Sequence, residues 1–260
     1  MYKKSLPLVL AAFVAFAAPA PAVAAEALAP PKQHWAHQGA FGTYDKAALQ
    51  RGFQVYKEVC AACHGMKLLS YRNLAGIGYN EDEIKAIAAE YTVIDGPDDE
   101  GEMFERAARP SDRFKSPFAN DKAARAANGG ALPPDMSLMV KSRHHHENYL
   151  FALLTGYTTP PETDAEGEPI IVPAGMYWNK YFAGNMIAMA PPLVEDGVSY
   201  ADGTSASVEQ MARDVTQFLA WAGEPHMEER KQMGIKVILF MLVFAGIMLA
   251  AKRKVWAAVH

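Results

Sequence analysis

Five residues, Cys60-Ala61-Ala62-Cys63-His64, constrain this chain more than anything else in it. Two cysteines spaced by two residues, with histidine directly after the second, form the pattern for covalent attachment of c-type haem. The spacing has a chemical reason: each thiol can form a thioether with one of the two vinyl groups of a single porphyrin. The histidine is then held beneath the iron as its proximal ligand. These are the only 2 cysteines in 260 residues, so no thiol remains for a structural disulfide or a cysteine-rich cluster. A thioredoxin-like dithiol would want a βαβ setting, whereas this motif follows a helical run. A zinc site would need two further ligands at finger-like spacing, and none stands nearby.

The two ends agree with that reading. Lys3 and Lys4 form a positive leader, Leu6 to Ala18 is apolar, and Ala22-Val23-Ala24-Ala25 offers a cleavage site, so residues 1–25 read as a signal peptide. Pro19 and Pro21 cut the apolar run too short for a membrane anchor. Haem c thioethers are made after export, so leader and motif support each other. At the other end only Lys236 is charged between Met233 and Ala251, and Lys252-Arg253-Lys254 follow at once. About 19 residues at a rise of about 1.5 Å reach about 28 Å, close to a hydrocarbon core of about 30 Å. Lys236 lies near enough to the start to snorkel to the interface. The expected organisation is a signal peptide (1–25), an exported haem domain (26–230), a transmembrane anchor (231–253) and a cytoplasmic tail (254–260). Loss of Lys3 and Lys4 with the signal makes the formal charge of −4 more negative still. Such a chain does not suggest nucleic acid and favours a cationic partner.

Helical periodicity is clearest near the ends of the haem domain. Asp45 is a candidate cap for a helix from Lys46 to Val59, with Leu49, Phe53 and Tyr56 on one face and Gly52 permitting a close neighbour. Val208, Met211, Val215, Phe218 and Leu219 recur at the same period after a capping Ser207, predicting a helix from Ser207 to Trp221 with Pro225 beyond it. First and last helices crossing at a glycine–aromatic contact is how c-type cytochrome folds close around haem. Between them, Pro30 to Phe41 reads as extended structure on the surface, with His34 and His37 packed or solvated rather than metal-bound. Glu81 to Glu102 is densely acidic, with Lys85 its one cation. It reads as a solvated helix followed by a turn at Asp95-Gly96-Pro97, or as a surface that steers a basic electron acceptor. Lys115 to Arg125 is locally basic, Asn128 to Pro134 is a backbone-defined loop, Leu138 to Leu154 a further helix and Thr159 to Pro173 an exposed loop.

An electron-transfer haem needs its second axial position filled, and methionine there raises the potential relative to histidine. Met66, Met136, Met176, Met186 and Met189 are the candidates expected to be exposed in irregular structure. Met189 stands out because Ala190-Pro191-Pro192 follows it, and two prolines make a stiff extended segment that can present a thioether. Met186 is its nearest rival. The run His144-His145-His146 falls on the helix expected over Leu138 to Leu154, where adjacent positions do not face one another, so it reads as a solvated face and not a metal grip.

Taken together, these segments resemble the cytochrome c1 family, the haem c subunit of the bacterial ubiquinol–cytochrome c reductase (cytochrome bc1) complex. The resemblance rests on Arg51 to Tyr56 leading into the haem motif; Asp95-Gly96-Pro97 with Gly101-Glu102-Met103; Ala123 to Asn128; Gly130 to Asp135; Leu153 to Tyr157; Met189 to Pro192; and the C-terminal anchor. It implies a mainly α fold: a class I cytochrome c-like haem domain with long loop insertions, plus one C-terminal transmembrane helix. It implies one covalent haem c on Cys60 and Cys63, axial ligands His64 and Met189, and Arg125 beside a haem propionate. His145-His146 departs from the Gly-Gly often found there. The implied setting is the bacterial inner membrane, single-pass, with the haem domain in the periplasm. Implied partners are cytochrome b, a mobile Rieske iron–sulfur protein, a soluble periplasmic cytochrome c and the lipid bilayer, in a dimeric complex. The chain itself would carry electrons and make no bonds, within a complex that couples quinol oxidation to proton translocation. The alternatives are a membrane-tethered carrier, or the cytochrome subunit of a terminal oxidase. A peroxidase would leave the sixth position open, against the Met189-proline segment.

Overall fold

The structure, a computed structural model, describes residues 28–164 and 167–258. The signal peptide expected at 1–25 lies outside the described residues.

Helix α1 (Lys46–Glu58) starts where Asp45 takes an extended backbone and its carboxylate accepts from the amides of Ala47 and Ala48 at 3.0 and 3.3 Å. Near the far end of the haem domain, helix α6 (Val208–Gly223; α2 to α5 lie between) starts at Ser207, whose hydroxyl accepts from Gln210 N at 3.2 Å. The two cross at Gly52, where a Cβ would stand 2.1 Å from the Asp214 carbonyl oxygen and 2.7 Å from Phe218 Cβ. Only glycine allows that approach, as the sequence led us to expect. Phe53 and Tyr56 bring their rings to 5.6 and 5.8 Å from Phe218, filling the centre of the core. Arg51 locks the crossing from one side. Its guanidinium forks onto fully buried Asp214 at 2.9 and 3.2 Å and donates to Asp202 at 2.7 Å.

The chain between these helices is mostly irregular. Helix α2 (Glu81–Ala89) opens with a reciprocal Asn80–Glu83 capping box. An antiparallel hairpin follows, β1 (Thr92–Asp95) on β2 (Phe104–Ala107), with Thr92 opposite Ala107. The acidic stretch thus contains a hairpin where a turn alone was expected. Arg106 on β2 pairs with Asp95 and with Asp112, pinning the ribbon to the body. Short helices α3 (Asp121–Ala127) and α4 (Met139–Ser142) precede α5 (His146–Thr155), and a second small ribbon pairs β3 (Tyr177–Trp178) with β4 (Met186–Ile187).

Two expectations are corrected here. The single helix foreseen over Leu138 to Leu154 breaks: Arg143 is extended, and His145 and His146 have φ of 65° and 50°. The histidine run is therefore a bend between α4 and α5. Its three side chains are nevertheless exposed, and no group of His, Cys, Asp or Glu able to hold a metal ion occurs among the described residues. The Pro30–Phe41 segment is also more than a surface strip. Trp35 and His37 are buried, with Arg213 stacked over Trp35 and His37 Nε2 on Glu147 at 2.9 Å. His34 stays exposed.

The last helix, α7 (Met227–Trp256), is longer at both ends than the span foreseen over 231–253. It is long and apolar enough to cross a membrane, and its apolar stretch is buried by nothing among the described residues.

Candidate haem site

Helix α1 ends in one 3-10 turn, Cys60–Ala62, which orients the motif. Amides of Cys63 and His64 both donate to the Cys60 carbonyl, at 3.1 and 2.9 Å, so all three side chains leave one tight turn. Cys60 faces inward, where burial pushes its thiol up to about 12; Cys63 faces solvent, and neither forms a disulfide.

His64 is buried, and desolvation, opposed by the Pro134 hydrogen bond, holds its basicity below that of free histidine. Its Nδ1 lies 2.8 Å from the Pro134 carbonyl oxygen. A carbonyl can only accept, so Nδ1 carries the proton and Nε2 presents its lone pair. That is the orientation a proximal haem ligand requires. The loop supplying the carbonyl is tied to the motif: Met136 N donates to Gly65 O at 2.8 Å, Lys67 N to Asp135 at 2.8 Å and Leu68 N to Ser137 at 3.0 Å. The residues present therefore fit a covalently held haem: two unpaired thiols on one turn and a neutral, oriented imidazole.

Among the methionines, Met66 is fully buried in the core, contrary to its placement among exposed candidates. Met186 lies in β4, half-buried. Met189 is also half-buried, and its carbonyl accepts from the Tyr157 hydroxyl at 3.0 Å. Buried Asn179, just after β3, donates to Leu153 O of α5 at 2.7 Å and through its amide to Asn185 O at 2.8 Å. Sequence reasoning missed both Tyr157 and Asn179; Tyr157 carried only a motif resemblance and Asn179 no periodic signal. Arg125 sits exposed near the end of α3, donating to the Gly130 carbonyl at 2.9 Å and so bracing the Asn128–Pro134 loop.

The cytochrome C1 family model matches residues 35–259. The chain belongs to the cytochrome c1 family. It is 48% identical over 239 residues to cytochrome c1 of Rhodospirillum rubrum, covering 86% of each chain. It is 52% identical over 224 residues to a mitochondrial cytochrome c1 heme protein of Arabidopsis thaliana, covering 86% of this chain and 71% of that one. Against cytochrome b/c1 of Bradyrhizobium diazoefficiens it is 45% identical over 247 residues, 89% of this chain and 36% of that longer one. The expected fold class holds, a mainly helical haem protein with one helix among the described residues able to span a membrane, and the family's cofactor is one haem c.

Proposed function

We propose that this chain relays single electrons within a membrane-bound ubiquinol–cytochrome c reductase, beside cytochrome b. It takes them from a Rieske iron–sulfur protein and gives them to a soluble periplasmic cytochrome c. The observation that carries this reading is His64, its Nδ1 fixed by the Pro134 carbonyl on the turn that bears both thiols, in a chain of this family. When bound, the haem supplies a one-electron couple, and the chain makes no bonds of its own. Cys60 and Cys63 would hold it covalently, and His64 and Met189 would ligate its iron. Tyr157 steadies the Met189 backbone, and Arg125 would pair with a propionate. The cytochrome b partner is supported by the fused name of the Bradyrhizobium relative. The acidic hairpin, with Asp98, Asp99, Glu100 and Glu102 exposed at its tip, is suited to steering a basic acceptor.

Purification of the tagged chain from membranes in mild detergent tests the assignment. Haem b and a Rieske cluster in near-stoichiometric amounts are expected, whereas haem c alone would leave a tethered carrier. For the ligand set, Met189→Leu should retain covalent haem yet lower the midpoint potential by a sizeable fraction of the roughly 0.8 V that axial ligation spans. An unchanged potential in redox titration would move the ligand to Met186.

A further inference from the structure

Phe41 is 84% exposed, more than any other large apolar side chain the structure describes, including those of the apolar stretch of α7. It lies in a tight loop, residues 37–42, whose shape depends on Gly42; a Cβ there would meet the Gln38 carbonyl oxygen at 2.1 Å. The loop is gripped from the membrane helix. Lys231 Nζ donates to the carbonyls of His37 and Gly42 at 2.6 and 2.8 Å. One turn earlier, Glu228 accepts from the Tyr44 amide at 2.7 Å.

Lys231 stands two positions before Met233, where the apolar stretch begins, a rise of about 3 Å along the axis. Helical side chains lean toward the N-terminus, so Lys231 reaches back toward the haem domain. The clamped loop therefore stands no more than one lysine side chain beyond that level, beside the roughly 5–7 Å headgroup layer bordering the hydrocarbon, and Phe41 is the group that would reach into it. Gln38, Gly39 and Ala40 beside it are exposed as well. Bare peptide groups are excluded from hydrocarbon but are at home among hydrated headgroups, while an aromatic ring reaches the acyl boundary.

We propose that this loop, with Phe41 at its tip, is a second membrane contact, seated in the lipid headgroup layer beside α7. The proposal rests on α7 spanning the bilayer. It follows from continuity: the loop is fixed to the last polar turn before the apolar stretch, and the large side chain it exposes is apolar.

The test uses the full chain in its native membranes, with Phe41→p-benzoyl-phenylalanine, irradiation and mass spectrometry of the adducts. Phospholipid adducts at position 41 are the expected result. A crosslink to a protein subunit overturns the proposal and makes the loop a subunit interface; no adduct overturns it by showing a hydrated loop. The same probe as Leu242→p-benzoyl-phenylalanine, in the middle of α7, separates the two readings. Labelling at 242 by lipid or by a membrane subunit, without lipid at 41, sinks the loop contact alone. An unlabelled 242 removes the membrane span and the loop proposal together. Haem content of both variants, read from absorbance, confirms that they fold.

Discussion

His145 and His146 hold left-handed backbone with φ of 65° and 50°, a region that costs side chains with a Cβ and costs glycine nothing. Histidine tolerates it better than most residues, and β-branched residues worst. Glycine at either position should raise stability by about 0.5–1 kcal/mol, and valine should lower it by at least as much. Denaturant midpoints of the haem-loaded protein check both signs. The departure from Gly-Gly was visible in the sequence, but its meaning was not, because periodicity ran a helix straight through Arg143. Met189 is preferred as the proposed ligand from sequence because proline acts locally on the backbone. The Tyr157 hydroxyl that holds it comes from 32 positions earlier, and no local pattern announces such a pair.

At the scale of elements, α1 and α6 were legible because each carries a cap, a period and a reason to meet the other. Gly52 gives that meeting a test. Alanine is the better helix former by about 0.8–1 kcal/mol, yet overpacking a tight contact costs about 1–3 kcal/mol. With a backbone carbonyl 2.1 Å from the new Cβ, and no flexible side chain to yield, packing wins. Gly52→Ala should therefore lower the thermal midpoint of the haem-loaded protein; an unchanged or raised midpoint would mean the helices separate freely. The β1–β2 hairpin was not legible. Its strands are four residues each, and Asp95 and Arg106 occupy positions where alternation would want an apolar residue. An ion pair across the strands replaces the apolar pattern that would have marked them.

At the scale of the molecule, charge is unevenly placed, and the hairpin concentrates it away from the crossing helices. Asp98→Asn, Asp99→Asn and Glu100→Gln together should slow reduction of a basic cytochrome c at low salt and flatten its ionic-strength dependence. Amides are chosen because the Asp98 side chain accepts from the amides of Glu100 and Glu102 at 3.0 and 2.9 Å, a role an amide oxygen can keep. Stopped-flow rates across a salt series decide it, and identical slopes would leave the acids as mere solvation. The same scale gives the short stretch Glu224–His226, between α6 and α7, a mechanical consequence. With Glu224 pairing to Lys141 and Arg230, and with Tyr44 held by Glu228, the body is tied to the first turns of α7 at several points. In the relay proposed above, a haem held by this body would keep a set height over the start of α7, so every ångström of travel would fall to the molecules that visit it.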